Sequence, residues 1–363
     1  MKRGLFLHPG LFLRRGLFMN RGLLGRKKVL LLSCVLLLTV FSAPAAPARK
    51  IKLRVGYFPN VTHAQALVGM AGGYFARELG PGVEVQPFLF NAGPSCMEAL
   101  LAGRLDLTYV GPNPSLNTYV RSNGQALRIL AGSCSGGAAL VLQKEKVICS
   151  PGELAGMRLA TPQLGNTQDI SLRYFLKEHG LKTREEGGTV QVYPVSNSNI
   201  ILLFRSGEID GAWTVEPWVS RLVVQEGGYI FLDEDDLWPD GLYPITYLVG
   251  ATAFLKKHPE LAAKWVEVHL RLTRELNATP ERFFQEINNE LAKVMGQSMP
   301  PEVLEAAVGR LRFTCLPMTG PFLAIAEKAH AVGFLPQIPP DLSGIFDLSF
   351  LEAAAGGDYS KIP

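Results

Sequence analysis

Alternating apolar and polar residues mark the first interpretable element. Ile51 to Phe58 (IKLRVGYF) alternate and are rich in β-formers, which predicts a strand. Asn60 to Gly80 then changes to helical spacing, interrupted by a Gly pair and an aromatic. Strands are expected again at Val83 to Phe90, Leu105 to Gly111 and Leu127 to Ser133. Between them lie short helices at Gly93 to Gly103, with Pro in its first turn and Gly after its end, and at Pro114 to Gly124. Strands alternating with helices predict a mostly parallel sheet covered on both faces.

The pattern then restarts. Strands are expected at Ala139 to Lys144, Met157 to Thr161, Val190 to Val195 and Ile209 to Val215. Helices fall at Asn166 to Gly180, with an N-cap residue before it and Gly behind, at Asn197 to Gly207 and at Pro217 to Gly228. One phrase occurs in both halves. LLAGRLDLTYVGP (Leu100 to Pro112) and LFRSGEIDGAWTVEP (Leu203 to Pro217) place Gly103 and Asp106 opposite Gly207 and Asp210. Each phrase reads as a helix ended by Gly, an outward charge, and a strand entering a sheet, so the repeat predicts two α/β lobes of similar design. After Pro244 to Ala251 the chain turns helical, at Lys256 to Thr273, in PPEVLEAAVGRLRF and in FLAIAEKAHAVGFL. The Pro-rich stretch from Pro336 onward is expected to be a loose tail.

The first 48 residues do not fit this scheme. They hold eight Lys/Arg and no acid, and a basic segment precedes the apolar run Val29 to Phe41. Small residues follow, with A-x-A at Ala43–Ala45 and Ala46–Ala48. This is the layout of a secretory signal peptide, expected to be cut near Ala45 or Ala48. The apolar run is short for a spanning helix, which needs about 20 residues. Cys34 lies inside that run rather than closing it, so lipid anchoring is not expected. Arg14–Arg15 sits in a poor context for twin-arginine export. Met1 and Met19 both remain as starts.

Without the leader, Lys+Arg falls from 36 to 28 while Asp+Glu stays at 32, so a net charge of +4 becomes −4. A basic nucleic-acid-binding surface is therefore not expected. Cys96, Cys134, Cys149 and Cys315 remain, with no spacing that dictates a disulfide or metal site.

In open α/β sheets, ligands sit outside the carboxyl ends of the strands. In the first lobe the segments there carry Tyr57, Phe58, Asn60 and His63, then Asn91, Gly93 and Ser95, then Gly111 and Asn113. The second lobe offers Gly165, Asn166, Thr167 and Gln168, then Asn197, then Glu216 and Trp218. These loops lack Lys and Arg and nearly all lead into helices. Converging helix N-termini present free N–H groups, a basis for holding a small anion with neutral donors. The same Ser, Asn and Thr residues also suit plain N-caps, and the two roles are compatible. Tyr57, Phe58 and Trp218 are candidate walls for an organic tail. Asp169 and Glu216 are candidates for holding the ammonium of a zwitterion. No nucleophile elbow, P-loop, zinc-protease helix or dinucleotide fingerprint is present, so nothing selects an enzyme, and no cofactor or metal is expected.

Taken together, GYFPNVTHA, ALLAGRLDLTYVGPNP, ATPQLGNTQD, SGEIDGAWTVEPW and ITYLVGA resemble substrate-binding proteins of bacterial ABC importers, in particular the nitrate/sulfonate/taurine group. The resemblance covers about Lys52 to Phe350. It implies a two-lobed type II periplasmic-binding-protein clamshell whose crossover strands fall near Ala138–Leu142 and Tyr243–Val249. The layout expected is residues 1–48 as leader, 49–140 and 245–335 in lobe one, 141–244 as lobe two, and 336–363 as tail. It implies a monomer in the periplasm that captures a small organic anion and delivers it to membrane permease subunits. A sulfonate is the favoured ligand, with taurine, nitrate, bicarbonate and thiamin-precursor pyrimidines as the alternatives, and an enzyme on the same fold behind them. Cys96 stands where a small aliphatic residue is expected.

Overall fold

The computed structural model describes residues 50–359. The expected leader, its cleavage positions, Cys34 and the two candidate starts lie outside them. From Lys50 onward the chain forms one compact unit containing two sheets.

The first sheet begins with β1 (Ile51–Tyr57), followed by α1 (Ala64–Ala71) and α2 (Tyr74–Leu79). Next come β2 (Val83–Leu89), α3 (Gly93–Leu101), β3 (Leu107–Val110), α4 (Pro112–Arg121) and β4 (Leu127–Gly136). The chain then enters the second sheet through β5 (Ala138–Leu142), β6 (Arg158–Thr161), α5 (Thr167–Glu178) and β7 (Gln191–Pro194). α6 (Asn197–Arg205), β8 (Gly211–Val215), α7 (Trp218–Val224) and β9 (Tyr229–Asp233) complete it. Return to the first sheet is by β10 (Pro244–Ala251), α8 (Thr252–Lys257), α9 (Pro259–Ala278) and α10 (Phe284–Met295). α11 (Pro301–Gly309), β11 (Leu311–Phe313), α12 (Thr319–Ala331) and α13 (Ser349–Ala355) close the described chain.

Strand order is β11-β4-β10-β3-β1-β2 in one sheet and β7-β6-β8-β5-β9 in the other. The architecture is the expected two-lobed α/β one, but each sheet is mixed. β1, β2 and β3 run parallel, as do β6, β7 and β8. β10 is antiparallel to both β3 and β4, and β5 to both β8 and β9. A strand arriving from the other lobe enters its sheet from the opposite end, so the crossovers break the parallel run. The first change of sheet falls at Gly136–Gly137, whose φ of 80° and 77° lie in the left-handed region that glycine adopts without strain. A Cβ on Gly137 would stand 2.3 Å from Leu311 Cδ2, so a larger residue would have to displace that methyl as well as adopt a positive φ.

The repeated phrase proves to be a strap. Arg54 on β1 donates from its backbone and Nε to Asp106 Oδ2 at 2.8 and 2.9 Å, and from Nη2 to Oδ1 at 2.6 Å. Its Nη1 donates to the Gly103 carbonyl. Arg158 on β6 does the same to Asp210, at 2.8, 3.0 and 2.8 Å, and reaches the Gly207 carbonyl at 2.9 Å. Gly103 and Gly207 end their helices at φ of 66° and 72°. Each strap ties a helix end and the turn after it to the neighbouring strand.

Each lobe has apolar filling. Leu140, Leu159, Leu172, Phe175 and Trp213 pack in the second, while Leu53, Val55, Leu107, Tyr109 and Trp265 are buried in the first. Cys96 is fully buried there, its Sγ 3.0 Å from Thr108 Oγ1 beneath Gly56. All four cysteines among the described residues are free, and only Cys149 is exposed.

Two expectations for the C-terminal part need correction. PPEVLEAAVGRLRF is a helix only to Gly309, and Leu311–Phe313 join the first sheet beside β4. The segment after Pro336 is not loose. Ile345 and Leu351 are fully buried, Phe346 bridges to Ile129, and α13 packs on α9.

Candidate functional site

Between the lobes lies a small cavity lined by Phe58, Asn60, His63, Asn91, Gly93, Gly111, Asn166, Thr167, Gln168 and Asn197. The structure thus brings these sequence-nominated residues together from both lobes. Its volume is about 30 Å³, the room of roughly two water molecules. A small head group fits.

The lining is held in a donor-rich arrangement. The indole N–H of Trp218 can only donate, and it donates to Asn60 Oδ1 at 2.8 Å. That fixes the amide so that the Asn60 NH₂ is left without a protein partner. Thr214 Oγ1 donates to Asn197 Oδ1 at 2.7 Å and leaves the Asn197 NH₂ in the same state. Asn166 Oδ1 accepts from the Asp169 backbone at 2.9 Å, while its Nδ2 donates to Gln168 Oε1 at 3.1 Å, which frees the Gln168 NH₂. Burial lowers the His63 pKa to about 3, so the ring is neutral. His63 Nδ1 accepts weakly from the Phe58 backbone at 3.4 Å, which leaves the proton on Nε2. Asn91 is the exception, since its Nδ2 donates across the cleft to the Pro162 carbonyl at 3.2 Å.

Backbone adds to this field. α3 and α4 begin at the cavity behind Ala92 and Gly111 without side-chain caps, although Pro94, Pro112 and Pro114 bring no N–H, so Gly93, Ser95 and Asn113 carry the backbone donors of these first turns. α5 and α6 also start there, capped by Asn166 and Ser196. No Lys, Arg, Asp or Glu lines the cavity. Uncapped N–H groups, amide donors and helix dipoles favour an anion, and the low local dielectric strengthens each contact.

The remaining nominated residues lie elsewhere. Tyr57 is buried beside α10, its hydroxyl donating to Glu290 Oε2 at 3.2 Å, because the alternation of β1 turns it away from the cleft. Ser95 Oγ donates to the Ala92 carbonyl at 3.1 Å within its own turn. Asn113 is buried one residue into α4, and its Oδ1 has no partner. Gly165 lies under the Phe334 ring and donates its N–H to Asp169. Trp218 touches the cavity only through Asn60. Glu216 is fully buried outside it, ion-paired with Arg310 at 2.8 Å and accepting from Ser220 N and Oγ at 3.1 and 3.0 Å. A carboxylate taken out of water must find such partners. Burial raises its pKa to about 7, against the pull of Arg310 and Ser220.

Thr62, Ala92, Pro162, Val215, Ile245 and Thr246 also line the cavity and were not nominated. Thr246 Oγ1 is buried without a partner. Its position on β10 could have been found by asking which end of the returning strand meets the loops of β3.

The arrangement has known counterparts. A family model described as NMT1-like matches residues 46–295. The chain belongs to the NMT1-like family. It is 26% identical over 262 residues to the taurine-binding periplasmic protein of Escherichia coli strain K12, covering 72% of this chain and 78% of that one. Among solved structures, the alkanesulfonate-binding protein from Xanthomonas axonopodis pv. citri, bound to MOPS, superposes with a TM-score of 0.64 at 21% identity, covering 80% of this chain and 96% of the other. The periplasmic nitrate-binding protein from Synechocystis PCC 6803 gives 0.69 at 14% identity, covering 86% and 91%. These family members and neighbours are binding proteins, not enzymes, and this chain shares their two-lobed fold.

Proposed function

We propose that this protein is the solute-binding component of an ABC importer, and that its head-group cavity takes the sulfonate of a small organic anion. The observation that carries this reading is the set of amide groups on Asn60, Asn197 and Gln168. Each has its oxygen committed inside the protein and its NH₂ left for a guest. A sulfonate offers three acceptor oxygens, keeps its charge at every physiological pH, and suits neutral donors.

Taurine fits this cleft less well. Its ammonium needs an acceptor, and the two nominated acids are spent. Asp169 accepts from Thr161 Oγ1 and Gly165 N at 2.9 Å each and pairs with Arg173 at 3.1 Å. Glu216 is held by Arg310 and Ser220. Bare nitrate or bicarbonate would leave the adjoining apolar space unused. Export through a cleaved leader, a monomeric state and docking on permease subunits complete the proposal. No described helix is long and apolar enough to cross a membrane.

The test uses purified protein stripped of bound ligand by unfolding and refolding. At about 100 times Kd a ligand adds roughly 2.7 kcal/mol to stability, a readily measured rise in Tm. Ethane- to hexanesulfonate should raise Tm, with taurine, nitrate and bicarbonate trailing. A panel in which no alkanesulfonate shifts Tm would sink the assignment.

A further inference from the structure

We propose that the chamber beside the head-group cavity is a second ligand subsite, and that the ligand is an organosulfonate with a second anionic group at the far end of a short carbon body. This rests on the sulfonate reading above and names its class. The chamber holds about 460 Å³, within the range of small-molecule sites, and shares Asn91 with the cavity. Leu89, Phe90, Ile201, Leu202 and Met295 give it apolar walls from both lobes, suited to carbon.

Arg221 supplies the polar end. Its guanidinium lies 5.2 Å from the Trp218 ring centre. Nε donates to Gln225 Oε1 at 3.0 Å, and Nη1 reaches only the Met295 sulfur at 3.8 Å. Among the described residues it forms no ion pair. The other arginine of the chamber, Arg205, is gripped by both carboxylate oxygens of Glu226 at 3.0 and 2.6 Å, so Glu226 reaches Arg221 only as a distant charge. A half-buried guanidinium without a carboxylate bears a desolvation cost that an anionic guest relieves, through a fork matched to carboxylate geometry. Burial indeed presses its pKa downward. Trp218 spans the two subsites, with its N–H on Asn60 in the cavity and its ring under Arg221. A ligand running from the cavity past Asn91 into the chamber would meet amide donors at one end and Arg221 at the other.

The experiment is calorimetry on stripped protein with 3-sulfopropanoate, 4-sulfobutanoate and 5-sulfopentanoate against neutral alkanesulfonates of matched length. Wild type should bind one of the sulfo-carboxylates at least tenfold more tightly than its neutral match. Arg221→Gln should abolish that preference while leaving alkanesulfonate affinity within threefold, and Arg221→Lys should retain part of it. Equal affinities in wild type overturn the subsite, whether or not the variants fold, and so does a preference that survives in Arg221→Gln. In both cases alkanesulfonate binding, and with it the proposed function, still stands. Failure of every sulfonate, neutral or charged, overturns both.

Discussion

Trp218 shows how an individual residue can act on a site it barely touches. Its indole N–H turns the Asn60 amide donor-side out, so loss of that hydrogen bond should let the amide flip and present an oxygen to the anion. Trp218→Phe should weaken sulfonate binding about tenfold, corresponding to about 1.4 kcal/mol in calorimetry. Asn60→Ala should cost as much, and the double variant little more, because the two act through one contact. His63 is neutral because burial holds its pKa near 3. Alkanesulfonate affinity should therefore lack the rise below pH 6.5 that an imidazolium would bring. A tenfold tightening between pH 8 and 5.5 that disappears in His63→Gln would contradict the neutral ring.

The two straps belong to the scale of elements. Arg54–Asp106 and Arg158–Asp210 repeat the same set of partners, at partly buried positions where a helix hands the chain to a strand. Asp106→Asn and Asp210→Asn should each destabilise by about 1.5–3 kcal/mol in urea unfolding, with ligand affinity unchanged. Asp210 makes this strap pH-dependent. Burial opposes its ionisation, but the bonds from Arg158 and Lys146 win and hold its pKa at about 2, below the ordinary 3.8. Its stabilisation is therefore full above pH 3.8 and is lost as pH falls through 2. Asp210→Asn should flatten the acid limb of the stability curve in that window.

At the scale of the molecule the two lobes meet across the cavity and again at the crossover. Trp218 and Pro162 reach Asn60 and Asn91, while Arg310 at the end of α11 pairs with Glu216 and Asp233 at 2.8 Å each. A ligand closes such a cleft by contacting both walls, so its differential affinity sets how far the equilibrium moves. The scattering radius of stripped protein should shrink on adding a bound alkanesulfonate, and Asn197→Ala should require more ligand for the same compaction. An unchanged radius at saturation would argue against closure. Glu216 adds a pH dependence of opposite sign to that of Asp210. Its folded pKa of about 7 lies above the ordinary 4.5, so the stability tied to its protonated form is full below pH 4.5 and is lost as pH rises through 7. Glu216→Gln should reduce the fall in urea midpoint across that interval.

Much of this protein was legible in one dimension. Alternation in IKLRVGYF, helical spacing in the segments between strands, and glycines behind helices locate the elements, because those periods are local consequences of backbone geometry. The repeat of Gly103 and Asp106 at Gly207 and Asp210 announced two lobes. Sequence position alone also nominated Asn60, Asn166, Gln168 and Asn197, since loops after strands are where open sheets expose helix starts. Other features needed the third dimension. Whether Tyr57 or Phe58 faces the cleft depends on the pleat of β1, and a single residue of register decides it. That Glu216 is already paired with Arg310 rests on a contact far apart in the chain, whereas the Asp169–Arg173 pair lies one helical turn apart on α5 and was within reach of the sequence. The Arg54 and Arg158 straps, the sheet change at Gly136–Gly137 and the packing of the tail through Leu351 are likewise decided by long-range neighbours. Local periodicity carries no information about which side chain will meet which partner once the lobes close.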